Sequence, residues 1–193
     1  MMLSREKRMR LWTYLLDAPV VAIITFAIFY LFDKSAHNLG AFLIETVCVG
    51  VIPLSAWFHM IGHHGDYRGE RKLAFILSVL GYTIGTVLIL LFFRSDRLYL
   101  ALMLSYMFTV IGLLTINLLH YKASGHAAGI AGPATALTIT FGWVGALSYL
   151  LLVLVAVAKI DVKDHTLGQL CTGGGMTILM TLLAFTIAGI LHF

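Results

Sequence analysis

The hydrophobic pattern of the chain consists of long apolar blocks separated by short polar segments. A helix needs about 20 mostly apolar residues to cross the hydrocarbon core of a bilayer, and most of these blocks approach that length. Lipid also excludes open sheets and exposed loops, because every backbone polar group must find a partner internally. The pattern therefore predicts an all-α, polytopic bundle of transmembrane helices with seven spans, at about 11–32, 39–60, 73–94, 98–120, 125–142, 144–160 and 167–191.

The fifth and sixth spans are short, and they are separated only around Gly142. Merged into one helix, they would form about 36 residues with a length of about 54 Å. This is too long for one crossing of a hydrocarbon core that is about 30 Å thick. We therefore predict two separate helices here, with a merged helix and six spans as the alternative.

The composition of the chain excludes a soluble fold. Hydrophobic residues make up 60% of the 193 positions and charged residues only 11%, whereas a soluble domain carries about 25% charged residues. Cys48 and Cys171 lie far apart inside apolar blocks, which argues against a disulfide framework or a zinc site. No soluble domain or long linker is visible, so residues 1–193 are expected to form a single transmembrane domain.

Residues capable of chemistry are concentrated in three polar segments, at 59–72, 120–126 and 159–169. Two predicted spans separate the first segment from the second, and two more separate the second from the third. All three segments are therefore expected to emerge on the same side of the membrane. In a chain with so few charges, this concentration is the main indication of function.

The distribution of basic residues predicts that this side is cytoplasmic. The basic N-terminus precedes an apolar stretch that is too long for a cleaved signal peptide, so it reads as the flank of a first span. The positive-inside rule places such a flank in the cytoplasm. The cytoplasmic side would then carry ten basic residues (Arg5, Lys7, Arg8, Arg10, Arg68, Arg71, Lys72, Lys122, Lys159 and Lys163), and the opposite side three (Lys34, Arg94 and Arg97).

The second polar segment places Lys122, Ser124, Gly125 and His126 at the start of an apolar helix. Free backbone N–H groups and the positive end of the helix dipole make such a position suitable for a phosphate. Gly125 allows close backbone approach, Ser124 can donate a hydrogen bond, and His126 can transfer a proton near neutral pH. The alternative interpretation is a helix cap with an interfacial lysine and histidine.

The third polar segment contains Lys159 at the end of one span and His165 and Gln169 at the start of the next. A separation of four residues places His165 and Gln169 on one helix face. Gln169 could then bond one ring nitrogen of His165 and so determine which nitrogen faces a substrate. The alternative is a charged turn capped by Asp164, with an incidental histidine.

The first polar segment is rich in histidine and arginine. Arg68 and Arg71 lie three residues apart, and arginine is well suited to two-pronged contact with phosphate. A solvated, positive loop on the cytoplasmic side is the alternative. His59, His63 and His64 also resemble one histidine box of the membrane desaturases and hydroxylases, which leaves a histidine-ligated metal oxidase open as a second function.

Together, the three segments resemble the membrane-bound type 2 phosphatidic acid phosphatases, which are related to the vanadium haloperoxidases. The second segment reproduces the Ser-Gly-His motif of that family outright. Another motif of the family has an arginine, five intervening residues, a histidine, three intervening residues and an aspartate. The third segment reproduces this spacing, with Lys159, His165 and Gln169 at the three positions. The resemblance is to a small, divergent prokaryotic branch, and it covers roughly residues 60–190.

The first segment fits the lysine–arginine motif of the family in part. Arg71 stands at the position of the arginine, His64 falls where the lysine would be, and Asp66 and Arg68 complete the local pattern. The resemblance therefore adds Arg71 and Arg68 to the expected phosphate-binding residues, with His64 and Asp66 as further possible members of the site.

The resemblance implies hydrolysis of a lipid phosphate, such as a polyprenyl phosphate or diphosphate or a phosphatidate, through a phosphohistidine. His165 would attack phosphorus, and His126 would protonate the leaving oxygen and then activate water. The groups expected to hold the phosphoryl oxygens are Arg71, Arg68, Lys122, Ser124, Gly125 and Lys159. No metal or other cofactor is implied, and the expected partners are the lipid substrate and the bilayer of a prokaryotic cell, with no nucleic acid.

Two departures from the family pattern bear on this activity. Lys159 replaces an arginine and loses its planar two-pronged contact. Gln169 replaces an aspartate, so the partner of His165 is neutral. A catalytically decayed phosphatase and a transporter therefore remain alternatives, although no inverted repeat of the transporter kind is visible.

Overall fold

The computed structural model describes residues 16–62 and 67–191, and all regular structure in this part of the chain is helical. In it, a π-helix covers Thr46–Val51, and two short 3-10 turns cover Lys34–Ala36 and Leu147–Tyr149. The α-helices are α1 (Ala18–Phe32), α2 (Leu39–Glu45), α3 (Ile52–Leu54), α4 (Ala56–Gly62), α5 (Tyr67–Phe92), α6 (Arg97–Leu118), α7 (Gly125–Phe141), α8 (Trp143–Ala146), α9 (Leu150–Asp161) and α10 (Leu167–Ile187).

Within residues 16–62 and 67–191, five helical stretches are long and apolar enough to cross a bilayer, which makes this an integral membrane protein. They are Leu39–His59, Gly69–Phe92, Arg97–Leu118, Trp143–Asp161 and Leu167–Ile187. The apolar helix α1 has 15 residues and α7 has 17, both fewer than the roughly 20 that one crossing needs. The all-helical, polytopic membrane fold is therefore confirmed, whereas the count of seven crossings stays a prediction.

The fifth and sixth predicted spans are separate helices. Helix α7 ends at Phe141 and α8 begins at Trp143, and Gly142 between them has a φ of 62°. A left-handed backbone of this kind interrupts the helix and suits glycine, which has no Cβ to clash. The expected break at Gly142 is therefore confirmed, and the merged helix is not formed.

Helix α10 packs along both α6 and α7 and is central to the described bundle. A Cβ added at Gly132 on α7 would lie 3.0 Å from the methyl carbon of Thr177 on α10, so the two helices approach closely. The hydroxyls of Ser105 and Thr181 bond each other across α6 and α10 at 2.7 Å. Small residues and paired hydroxyls of this kind are typical of helix interfaces in membranes.

One end of the bundle is closed by bonds from the first turn of α6 to the segments that follow α1 and α10, none of which carries a predicted site residue. Tyr99 donates to the carbonyl of Ala36 at 2.6 Å, and Arg97 donates to the carbonyl of Gly189 at 3.3 Å. The other end of the bundle holds the start of α5 and the segments 119–124 and 162–166, whose side chains contact each other. The candidate site is therefore at that end.

Candidate active site

Three cations from three separate elements converge on the carboxylate of Asp164. Arg71, in the first turns of α5, contacts Oδ1 at 3.0 Å. Lys159, in the last turn of α9, contacts Oδ2 at 3.0 Å. Lys122, in the segment before α7, lies 3.4 Å from Oδ1 and donates to the Asp164 carbonyl at 3.0 Å. We call Arg71, Lys122 and Lys159 the cation cluster.

The cation cluster extends from the protein interior to the surface. The Lys159 side chain is 1% exposed, that of Arg71 34% and that of Lys122 52%. Partial burial acts to raise the pKa of Asp164, but Arg71 and Lys159 outweigh it and hold that pKa well below its usual range. Asp164 is therefore an ionised carboxylate, and the cluster is an anion-binding arrangement with an internal anion bound in it.

His165 follows Asp164 directly and is oriented by Gln169. The His165 Nδ1 and the Gln169 Oε1 are 3.1 Å apart, and the same Oε1 accepts a hydrogen bond from the Thr166 backbone N–H at 3.1 Å. An oxygen cannot donate, so Nδ1 of His165 must carry the proton and Nε2 must carry the lone pair. Nε2 is buried and has no hydrogen-bond partner among the described residues.

The neutral state of His165 follows from its surroundings. Burial lowers its pKa and outweighs the bond to Gln169 and the charge of Asp164, which act to raise it. The charges of Lys122 and Arg71 add smaller lowering effects. A neutral imidazole with a lone pair on an unpartnered, buried Nε2 can act as a nucleophile or as a proton acceptor.

The predicted contact between His165 and Gln169 is confirmed, but its geometry differs from the expected one. His165 precedes the helix, and α10 is capped by Thr166, whose hydroxyl accepts from the Gln169 N–H at 3.3 Å. Thr166 and Gln169 thus form a capping box, in which each side chain bonds the other's backbone. The expectations that His165 shares a helix face with Gln169 and that Asp164 is the cap are wrong, because the helix begins two residues later.

The Ser-Gly-His motif stands at the N-terminus of α7, as predicted. Ser124 is fully buried and caps the helix, its hydroxyl accepting from the Ala127 N–H at 3.4 Å. Its own backbone N–H donates to the Gln169 carbonyl at 3.0 Å and so links the motif to α10. Gly125 opens the helix in free space, because a Cβ added there would meet no atom within 4 Å. The cap interpretation of Ser124 is therefore correct, and the helix N-terminus beside it is accessible.

His126 has a carboxylate partner that the sequence analysis did not assign. Its Nε2 lies 3.7 Å from Oδ1 of Asp17, the residue that caps α1. Burial raises the pKa of Asp17, while bonds from the Ala18 N–H and from Trp57 act to lower it. Both side chains of the pair are mostly buried, with 15% exposure for His126 and 22% for Asp17.

A cavity of about 260 Å³ opens beside these groups and extends into the bundle. Arg71, Lys122 and His126 line its polar end, and Tyr82 and Tyr106 lie farther along the lining. Arg71 and Tyr82 are both on α5, so the cavity extends about 16 Å along that helix. Apolar surface predominates in its lining as a whole, with contributions from Pro53, Phe75, Val110 and Leu113. The part farther from the charged end also carries hydroxyl groups, from Ser78, Tyr82, Ser105, Tyr106, Thr109 and Thr177. The cavity therefore joins a charged entrance to a mainly apolar interior that also carries hydroxyl groups.

Some of the predicted residues fall outside the described part of the chain. His64 and Asp66 lie outside the described residues, and so does His63 of the histidine box. Arg68 belongs to α5 by its backbone, but its side chain is outside the description. Within residues 16–62 and 67–191, no group of three or more His, Cys, Asp or Glu side chains could hold a metal ion.

Asp164 and Asp17 are the two site residues that sequence reasoning missed. Asp164 was considered only as a possible cap of a charged turn, and Asp17 was assigned no role. A charged residue directly before the candidate nucleophile was an available signal for Asp164. Asp17 gave no such signal, because it is more than 100 positions from His126 in the sequence.

Compared with protein-family models, curated proteins and solved structures, the chain shows no significant match. The phosphatase interpretation therefore depends on the residues and geometry of the site itself.

Proposed function

We propose that this protein is an integral membrane phosphatase that hydrolyses a lipid phosphate or diphosphate through a phosphohistidine on His165. The observation that carries the proposal is the cation cluster, which binds one carboxylate directly beside an imidazole with a free Nε2. A phosphoryl group offers the same kind of anionic oxygen as a carboxylate, and arginine and lysine bind both. A phosphoryl group that replaced the Asp164 carboxylate would be adjacent to His165.

The reaction would then proceed in two displacement steps. The Nε2 lone pair of His165 attacks phosphorus, and the lipid leaves as its oxygen takes a proton from His126. Water then attacks phosphorus with His126 accepting its proton, which releases inorganic phosphate and restores His165. The cation cluster and the open N-terminus of α7 stabilise negative charge on the phosphoryl oxygens in both steps.

The cavity supports a lipid substrate rather than a water-soluble one. Its charged end is lined by Asp17, Glu70, Arg71, Lys122 and His126, and its mainly apolar part runs into the bundle. A phosphate bound at the charged end would direct its hydrocarbon chain into that apolar part, where burial of apolar surface favours binding by about 25 cal/mol per Å². The cavity thus fits an amphipathic ester with an anionic head.

We also infer seven crossings, with the site at the cytoplasmic face of a prokaryotic membrane. In this arrangement α1 and α7 complete the five long spans, and ten basic residues lie on the site's side. Labelling of single cysteines introduced at Ser35 and at Lys163 tests the topology. A membrane-impermeant thiol reagent added to intact cells should label position 35 and not position 163, and the reverse pattern would place the site outside.

Phosphate release by the purified protein tests the activity. The substrates should include phosphatidate and polyprenyl mono- and diphosphates in mixed micelles, with EDTA present to remove free metal. We expect metal-independent release that falls at least about 1,000-fold in His165→Ala, because the covalent route is lost. His37→Ala is the matched control, since it removes an exposed imidazole at the opposite end of the bundle.

A phosphoenzyme trap tests the mechanism separately. A short reaction with radiolabelled substrate, quenched in alkali, should leave label on wild-type protein and none on His165→Ala. Turnover that survives in His165→Ala would contradict the proposal, and so would absence of turnover on every lipid phosphate.

A further inference from the structure

The start of α1 is held against the first turns of α7. A Cβ added at Gly129 would lie 2.8 Å from the Cα of Ala18, so no larger residue fits there without movement of the backbone. Gly129 follows His126 by three residues and lies on the same helix face. The close approach of the two helices therefore places Asp17, the neighbour of Ala18, beside the His126 ring.

The carboxylate of Asp17 is fixed by bonds that do not involve His126. The N–H of Ala18, the first residue of α1, donates to Oδ1 at 2.9 Å. The side chain of Trp57 also bonds the carboxylate, and the indole N–H can only donate. Oδ1 then lies 3.7 Å from His126 Nε2, which is within ion-pair distance and slightly beyond hydrogen-bond distance.

We infer that Asp17 is the positioning residue for His126: its carboxylate faces Nε2, holds the ring, and stabilises the imidazolium, leaving Nδ1 to exchange protons with the substrate. This inference rests on the proposed function. When the His165–phosphorus bond forms and the bond from phosphorus to the lipid oxygen breaks, that oxygen takes the proton on Nδ1. When water attacks and the His165–phosphorus bond breaks, Nδ1 takes a proton from the water.

The other charges near this pair act on it from several elements. Arg71 on α5, Lys159 on α9, and Asp164 and His165 in the following segment face His126. Glu70, Arg71 and Lys159 face Asp17. Among these groups, Asp17 is the carboxylate within 4 Å of the His126 ring. Its removal should therefore have a direct effect on the protonation of His126.

The Asp17→Asn variant isolates the charge. Asparagine caps a helix as well as aspartate does and still offers an oxygen to Trp57. Loss of an opposite charge at this distance should lower the titration midpoint of His126 by about one pH unit. The leaving-group step needs protonated His126, so kcat should fall at high pH as His126 loses its proton. This high-pH side of the kcat–pH profile, its basic limb, should move to lower pH by the same amount. On that limb kcat should fall about tenfold, with little change in KM.

Two readouts keep this inference separate from the proposed function. The first is the titration of His126 followed by NMR of histidine-labelled protein in micelles, with its signal assigned by the His126→Gln variant. The second is the kcat profile for phosphate release. Asp33→Asn is the matched control, because Asp33 caps a turn at the opposite end of α1 and should move neither readout. Asp17→Glu keeps the negative charge, so its His126 titration midpoint and its kcat profile should stay close to those of the wild type.

An unchanged His126 titration in Asp17→Asn would overturn the inference, whatever the enzyme activity. A kcat profile that keeps its basic limb in an active Asp17→Asn variant would also overturn it. A shifted titration in a wild-type protein that releases no phosphate would support the pairing of Asp17 with His126, and only the proposed function would then fail.

Discussion

Asp164 and a substrate phosphoryl group should compete for the same cations, and the Asp164→Asn variant measures that competition. Lys159 and Asp164 form the most buried contact, with side-chain exposures of 1% and 17%. A charge-assisted hydrogen bond of this kind contributes about 2 kcal/mol. Arg71 and Lys122 are more exposed, so each adds at most about 1 kcal/mol.

An entering phosphoryl group must displace the carboxylate at least from Lys159. Removal of the carboxylate should therefore strengthen the binding of inorganic phosphate by about 2 kcal/mol, or about 30-fold in Kd. The same substitution leaves a buried ammonium without its anion, so the free protein should lose about 3 kcal/mol of stability. Phosphate should restore much of that loss, because it supplies an anion to the folded state only.

Isothermal titration calorimetry of phosphate in detergent measures the affinity, and thermal unfolding with and without phosphate measures the stability. The Asp33→Asn protein should match wild type in both assays. Phosphate binding to Asp164→Asn that is no tighter than to wild type would refute the assignment of the cation cluster to the substrate. If the variant does not fold, Lys122→Gln serves instead. The Lys122 side chain is half exposed, so the fold should tolerate its loss. Phosphate binding should weaken, because the substitution removes one of the three cations.

Three further predictions follow from the site. Because burial lowers the pKa of His165, kcat should fall as the pH drops through that lowered pKa, where the imidazole gains a proton and loses its lone pair. Stability should fall as the pH drops from the ordinary range of a histidine toward the same lowered pKa, since the unfolded chain binds that proton more readily. Gln169→Glu keeps the capping box and places an anion against Nδ1 of His165, so it should move the acid limb of the kcat profile up by about one pH unit; an unmoved limb would contradict the assigned contact. Gly173→Ala should destabilise the protein by about 2 kcal/mol in a thermal unfolding assay. The added Cβ would lie 3.0 Å from the backbone N and C of Ser124. Gly175→Ala is the control and should be neutral, because a Cβ there meets no atom within 4 Å.

Much of the fold could be predicted because lipid imposes strict local rules. Each apolar block had to become a helix, since the bilayer offers no partner for backbone polar groups. The break at Gly142 followed from length alone, and the structure places a left-handed glycine there. The meeting of the second and third polar segments with Arg71 also follows from parity, which depends only on the number of helices between them.

The sequence by itself determined the helical membrane fold and the end of the bundle that carries the charged residues, and it suggested a contact between Gln169 and His165. The tertiary structure alone decided which anion the cations hold and which carboxylate faces His126. The cations hold Asp164 because the turn after α9 directs its carboxylate to Lys159, Arg71 and Lys122 together. Asp17 faces His126 because the start of α1 packs against Gly129 on α7. Such contacts join residues distant in the chain, and no local pattern of hydrophobicity or spacing encodes them.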